Sequence, residues 1–290
     1  MNIAVNILVL LARAFYRSSI AHSDAMKGSL ADMDAYDTFR SGELDVILAA
    51  AARYGVNLSG VRLVDLGCND GAITRRYGGV GPREVIGVDI NAAAIERATR
   101  LHAAANVSFR VSGIDRLPLD DGSVDVIVSY DVFEHIAKLD DMLAECRRVL
   151  RPGGTVLAGT WSWRHPFAPH LWSVMPVPWA HVVFSERTML RACREVYLSP
   201  WYRPTMHDLD AGGNRFADKY TETSIYPDYL NKLLIRDYHR LLAASGLQWR
   251  IHPVPFSSPL ARWTKIFLRV PWLREFITGY LWVVLRKPKT

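Results

Sequence analysis

The run Val61-Arg62-Leu63-Val64-Asp65-Leu66-Gly67-Cys68-Asn69-Asp70-Gly71 is a short apolar strand that breaks into a turn with glycines at 67 and 71. Glycine at a strand-to-helix turn lets a ligand approach the backbone closely. A dinucleotide fingerprint of the GxGxxG type requires glycine at position 69, where Asn69 stands. The pattern is instead D-x-G-x-x-x-G, from Asp65 to Gly71, and Gly71–Tyr77 reads as the start of a helix.

Outward from this turn, strand and helix alternate. Glu84–Asp89 reads as a second strand, and Asn91 caps a helix over Ala92–His102. Val107–Val111 and Val124–Ser129 are the third and fourth strands. Leu139–Leu150 is a helix stopped by Pro152-Gly153-Gly154, and Thr155–Gly159 is the fifth strand. Upstream, Ser41 is placed to cap a helix with the apolar face Leu44, Ile47, Leu48 and Ala51, which Gly55 ends. Such alternation predicts an α/β fold with a mostly parallel sheet and helices on both faces. From 161 to 245 the rhythm stops: Trp, Tyr, Pro and His accumulate, with helices expected at Ser185–Val196 and Tyr226–Ser245. All nine tryptophans lie at or after Trp161. Strands return at Gln248–Val254 and Tyr280–Leu285. The expected organisation is a helical extension at 1–40, a core at 41–160, an aromatic-rich lid at 161–245 and final core strands with a basic tail at 246–290.

The 290 residues are 50% hydrophobic and 22% charged, enough apolar mass for a sizeable core and too much for long disorder. Cys68, Cys146 and Cys193 form no CxxC pair, which argues against a disulfide scaffold or structural zinc and favours a reducing, cytoplasmic compartment. The net charge is +6, and residues 259–290 carry all of it, with seven Lys or Arg against Glu275 alone. The remainder is neutral overall, so no nucleic-acid surface is expected. The apolar run Ile7–Ala12 lies between Asn6 and Arg13, too short to span a bilayer; residues 3–16 read as a helix that packs on the core or touches a membrane surface.

Asp89 closes the second strand, 22 positions after Gly67, where an acid can accept both hydroxyls of an adenosine ribose. With Leu117-Pro118-Leu119-Asp120-Asp121-Gly122-Ser123-Val124-Asp125-Val126, Val132-Phe133-Glu134-His135-Ile136 and Arg148-Val149-Leu150-Arg151-Pro152-Gly153-Gly154 following in order, the chain resembles the class I S-adenosylmethionine (SAM)-dependent methyltransferases, in particular the small-molecule and quinone-type O-methyltransferase subgroup. The resemblance covers about residues 40–160 and the last two strands. It implies a Rossmann-like sheet of seven strands and SAM as cofactor. It places Asp65, Gly67, Asn69 and Gly71 along the methionine part, Asp89 and Ile90 at the ribose, and Gly113, Ile114 and Asp115 at the adenine, with Asp131 also beside the cofactor. Gly113 stands where relatives often carry an acid. The bland alternatives are a helix-capping role for Asp89 and a solvated loop acid for Asp115.

Asp131-Val132-Phe133-Glu134-His135 admits three roles. Asp131 as N-cap and Glu134 at N3 make a capping-box variant. The resemblance to the E-x-x-E-H segment of quinone-biosynthesis O-methyltransferases makes Asp131, Glu134 and His135 candidates for a divalent metal. His135 can serve as general base toward a hydroxyl. His165, His170, His181 and His207 match no zinc spacing. Trp161, Trp163, Trp172 and Trp179 either line an acceptor pocket or form the lid's own core. In Trp263–Leu285, aromatics alternate with Lys265, Arg269 and Arg274; a core helix and final strand account for most of it, and peripheral membrane contact is the other reading. The implied function is methyl transfer from SAM to a small-molecule, glycan or lipid-linked acceptor, most simply to oxygen, in the cytoplasm or at the inner face of the membrane. The competing classes are a nicotinamide-dependent oxidoreductase and a silent SAM-binding or membrane-associated scaffold.

Overall fold

The computed structural model describes residues 3–16, 28, 30–210, 212–217, 219–220, 230–256 and 265–289. Its strands are β1 (Arg62–Leu66), β2 (Glu84–Asp89), β3 (Val107–Val111), β4 (Val124–Tyr130), β5 (Leu150–Thr160), β6 (Gln248–Pro255) and β7 (Thr278–Arg286). They form one sheet in the order β3-β2-β1-β4-β5-β7-β6. The first five are parallel to one another, and β7 runs antiparallel to both β5 and β6. The expected seven-stranded, mostly parallel, Rossmann-like sheet is thus the observed one.

The helices are α1 (Ile3–Tyr16), α2 (Met33–Gly42), α3 (Leu44–Tyr54), α4 (Ala72–Tyr77), α5 (Ala92–His102), α6 (Leu139–Val149), α7 (Ala180–Val183), α8 (Glu186–Leu198), α9 (Ile235–Ala244) and α10 (Pro271–Ile277). The chain divides into two compact units, Met1–Phe39 with Trp163–Leu230 and Arg40–Ser162 with Asn231–Thr290.

In the sheet-bearing unit the strands are apolar on both sides because helices cover both faces. Val64, Leu66, Ile86 and Ile127 pack with α6 and with Ile235, Tyr238 and Leu242 of α9. Leu63, Val85, Val126 and Val128 pack on the opposite side with Leu44, Ile47 and Ala51 of α3. Gly55 ends α3 in the left-handed conformation, φ 68°, its N–H reaching the carbonyls of Ala51 and Ala52. Asn91 caps α5 by accepting from the N–H groups of Ala93 and Ala94 at 3.1 Å each. Two local expectations fail. Ser41 lies inside α2 rather than capping α3, because α2 runs into α3 with only Glu43 between. The helix expected from Tyr226 begins at Ile235, and residues 230–234 are not helical; 226–229 lie outside the described residues. With α9 packed on the sheet, residues 231–245 group with the core rather than with the aromatic segment.

The stretch 117–125 is held in place by side-chain hydrogen bonds. Arg148 donates to the carbonyls of Leu117 (3.1 Å) and Leu119 (2.9 Å), to Asp121 (2.6 Å) and to Glu145, and so clamps the loop entering β4. Arg62 N–H donates to Asp125 Oδ2 at 2.6 Å, with Arg83 and Arg151 also on that carboxylate.

In the other unit, Val5, Leu8 and Ala12 of α1 pack with Met189, Leu190, Cys193 and Val196 of α8 and with Leu171, Val174 and Met175. The helix expected from Ser185 begins at Glu186, and Ser185 caps it by accepting from Thr188 N–H at 3.3 Å. Two histidines are buried here without charge. Burial holds His165 down to about 3 and His181 down to about 4, although His181 Nε2 donates to Trp163 O at 2.7 Å. Because the folded pKa is depressed, this stability is present above the ordinary value of 6.5 and is lost as pH falls toward the folded values. At pH 5 the unfolded chain protonates both rings and the folded chain neither, a cost of about 2 kcal/mol for each. Chemical denaturation at pH 7 and pH 5 should show that loss, and His165→Gln should halve it. Glu43, Asp65 and Glu134 in the sheet-bearing unit are held above their ordinary values, so their contribution runs the opposite way and weakens as pH rises.

Candidate functional site

The strand order reverses at β1, which lies between β2 and β4, so the loops leaving β1 and β4 at their carboxyl ends are neighbours. Ligands of open α/β sheets bind at such a point. After β1, Gly67 (φ 80°), Asn69 (φ 46°) and Gly71 (φ 82°) all adopt the left-handed conformation. A Cβ on Gly67 would lie 2.3 Å from Val132 Cγ2, and one on Gly71 would lie 2.6 Å from Phe109 Cε1. Both glycines are therefore demanded first by the protein's own packing. Gly71 sits against β3 and Ala98 of α5, while Gly67 abuts the loop after β4. Asp65 is buried, and its Oδ2 accepts from Thr74 Oγ1 at 2.6 Å; burial pushes its carboxyl up to about 6. It ties α4 to β1 from behind the loop. Asp70 is held by Arg97 through Nε at 2.9 Å and Nη2 at 2.5 Å.

At the end of β2, Asp89 does not cap α5, since Asn91 does so. Its Oδ2 accepts from Asn69 N–H and its Oδ1 from Asn91 N–H, each at 2.9 Å. One backbone donor on each oxygen fixes the carboxylate and leaves further lone pairs on both. Beyond β2 and β3, Ile90 and Ile114 are 63% and 76% exposed. Gly113 N–H donates to Arg116 O at 3.0 Å, closing a turn that carries Ile114 and the exposed Asp115.

The loop after β4 corrects the capping expectation. Phe133–His135 is one 3-10 turn with no side-chain cap. Asp131, at φ 57°, directs its carboxylate elsewhere. Its Oδ1 accepts from Tyr280 Oη at 2.7 Å and Trp161 Nε1 at 3.0 Å, and its Oδ2 from Arg40 Nη1 at 3.2 Å. A carboxylate with three donors, one of them a guanidinium, is a poor metal ligand, so Asp131 drops from the candidate metal set on its chemistry. Glu134 is 4% exposed, and burial, with Asp131 adding to it, pushes its carboxyl up to about 8. Thr160 Oγ1 donates to its Oε2 at 2.7 Å and lies 3.1 Å from Tyr238 Oη, while Oε1 has no partner among the described residues. Glu134 and His135 offer a carboxylate oxygen and a ring nitrogen within 4.8 Å of each other. Asn231 pins the turn from below: its Nδ2 donates to Phe133 O (2.6 Å) and Ile136 O (3.0 Å), and its N–H donates to Glu134 O (2.8 Å).

Arg40, Thr160, Asn231, Tyr238 and Tyr280 were not among the residues expected from sequence. They join the loop through contacts spanning 26 to 149 positions, and no local pattern announces them. Of the tryptophans, Trp161 serves Asp131. Trp163 packs on the core of the other unit, and Trp179 donates there to Arg164 O at 3.0 Å, as residues of that segment's own core do.

The residues at this edge suit SAM. A left-handed glycine turn follows β1, a pre-aligned carboxylate ends β2, and two exposed isoleucines offer apolar faces to a flat ring. A family model described as a methyltransferase domain matches residues 64–158. An uncharacterized methyltransferase of Mycobacterium marinum is 30% identical over 245 residues, 81% of this chain and 79% of that protein. A ubiquinone biosynthesis O-methyltransferase of Mesorhizobium japonicum is 34% identical over 119 residues, 38% of this chain and 47% of the relative. The chain thus spans less than half of some relatives and about four fifths of others. Among solved structures, an S-adenosylmethionine-dependent methyltransferase from Mesorhizobium loti superposes with a TM-score of 0.50 at 17% identity, covering 82% of this chain and 96% of that one. Phosphoethanolamine N-methyltransferase 2 of Haemonchus contortus, in complex with S-adenosyl-L-methionine, gives 0.52 at 16% identity, covering 84% and 52%. At those identities the structures speak for the fold alone. The fold and its carboxyl-edge site define a nucleotide-type α/β enzyme. Within that class the chain belongs to the class I SAM-dependent methyltransferases, which sets aside the oxidoreductase and the silent scaffold.

Proposed function

We propose that the acceptor is a hydroxyl compound, a small molecule, a glycan or a lipid-linked species, methylated on oxygen. The observation that carries this is the Glu134–His135 pair. With Oε2 accepting from Thr160 and the carboxyl neutral below about pH 8, the Glu134 proton resides on the unpartnered Oε1. A buried donor without an acceptor is costly unless a ligand completes it. An acceptor oxygen suits both neighbours: it takes a hydrogen bond from Glu134 and gives its proton to His135, which is half-buried and reachable. The cofactor supplies an electrophilic sulfonium methyl when bound. The chain's part is to hold the oxygen in line, exclude water and take the proton. Asp131 is a positioning residue, since its oxygens are already engaged.

For the cofactor we assign Asp89 to the ribose, the backbone at Gly67 and Asn69 to the methionine part, and Ile90 and Ile114 to the adenine faces. Asp65, Gly71 and Gly113 support that surface from behind. Asp89→Ala should lower SAM affinity by about 2–4 kcal/mol, for two charge-assisted bonds less water compensation. Titration calorimetry checks it, and unchanged affinity in the folded variant removes Asp89 from the site. Turnover of methyl-labelled SAM against fractionated extract, with the product analysed for a methyl ether, tests the acceptor class; label on nitrogen or carbon would overturn it.

A further inference from the structure

The connector between β6 and β7 exposes a surface that methyl transfer does not use. Ile266, Phe267 and Trp272 are 67%, 46% and 66% exposed. They stand on the 3-10 turn Lys265–Arg269 and on the first turn of α10, two short elements packed against each other. Arg269 is exposed among them and Arg274 is half-buried. The single acid of the segment is turned inward. Glu275 is buried, its Oε2 accepting from Ser162 Oγ and Ile235 N–H at 3.0 Å each and its Oε1 from Arg236 N–H at 3.2 Å. Among the described residues, the outward charge of this connector is therefore positive only.

Large apolar and aromatic side chains grouped with cations, and with no exposed acid, match the interface of an anionic bilayer. Tryptophan favours the headgroup level, and arginine meets the lipid phosphates. An acidic peptide or a nucleic acid would use the arginines but gain little from Ile266 and Phe267. We propose that this connector seats the protein on an anionic lipid surface, with Ile266, Phe267 and Trp272 entering the headgroup region and Arg269 on the phosphates. The pairing of Thr160 with Leu281 and of Pro255 with Thr278 puts the connector at the carboxyl edge of the parallel strands, the edge that carries Asp89 and Asp131. Docking there brings that edge toward the lipid. The inference goes beyond the methyl-transfer reading and stands or falls without it.

Flotation of the full chain with vesicles tests it, using phosphatidylcholine alone and phosphatidylcholine mixed with phosphatidylglycerol. Binding to the anionic vesicles should be at least about tenfold tighter and should weaken with salt. Phe267→Glu with Trp272→Glu should reduce it by about tenfold or more while SAM affinity, measured separately, stays unchanged. Arg269→Glu should reduce it about fivefold and flatten the salt dependence. It serves as the test by itself if the double variant does not melt cooperatively. No binding to anionic vesicles, equal binding to both lipids, insensitivity to these variants, or retention by an RNA oligonucleotide without vesicle binding would each overturn the proposal.

Discussion

Gly67→Val should abolish detectable SAM binding and also lower stability. At φ 80° a side chain costs about 1–2 kcal/mol of backbone strain. A Cβ at 2.3 Å from Val132 Cγ2 must push that residue aside, which adds about 1–3 kcal/mol. The displaced residue belongs to the loop that carries Asp131 and Glu134, so both neighbouring loops are disturbed by one substitution. From sequence alone the glycine turn read as a place where a ligand approaches the backbone closely. The structure puts the collision within the protein, so a fall in melting temperature should accompany the loss of binding. Val132→Ala in the same chain should recover part of the stability and little of the affinity, because the strained φ remains. Titration calorimetry and thermal melts check both, and wild-type affinity in Gly67→Val would show that the turn is structural only.

His135→Ala should lower kcat by about 10²–10⁴ and leave SAM affinity intact. Glu134→Gln is its companion: an amide N–H can replace the neutral carboxyl as donor, so activity at pH 7 should stay within about tenfold. In the parent enzyme Glu134 ionises as pH passes about 8, removing that donor, so activity should fall on the alkaline side. In Glu134→Gln that limb should vanish. If His135→Ala turns over normally, or the alkaline limb survives in Glu134→Gln, the proton route lies elsewhere. Inactivation by EDTA with recovery on magnesium would instead assign Glu134 and His135 to a metal.

Much of the fold was legible because parallel strands buried on both faces are short, apolar and separated by helices, as Leu63–Leu66, Val85–Val88 and Val124–Ser129 are. The caps at Asn91 and Gly55 were legible because they act within four residues. Helix boundaries set by packing were not. Ser41 and Tyr226 fit the local rules for a helix start, yet the chain begins α3 at Leu44 and α9 at Ile235, where the cores of the sheet receive them.

The site divides the same way. The positions of Asp89 and the glycine turn were readable because they depend on the end of one strand and on backbone conformation. The capping role that Asp131 and Glu134 admitted fails because the spacing D-x-x-E describes only what a helix start could use. What they do depends on Tyr280, Trp161, Arg40, Thr160 and Asn231, brought up from 26 to 149 positions away. Sequence by itself determined where β1 and β2 end and where the chain turns with glycine, because strand ends and tight turns are set by near neighbours. Tertiary structure decided the reacting half, because burial raises a carboxyl to about 8 and selects its partners only after distant segments have closed over it.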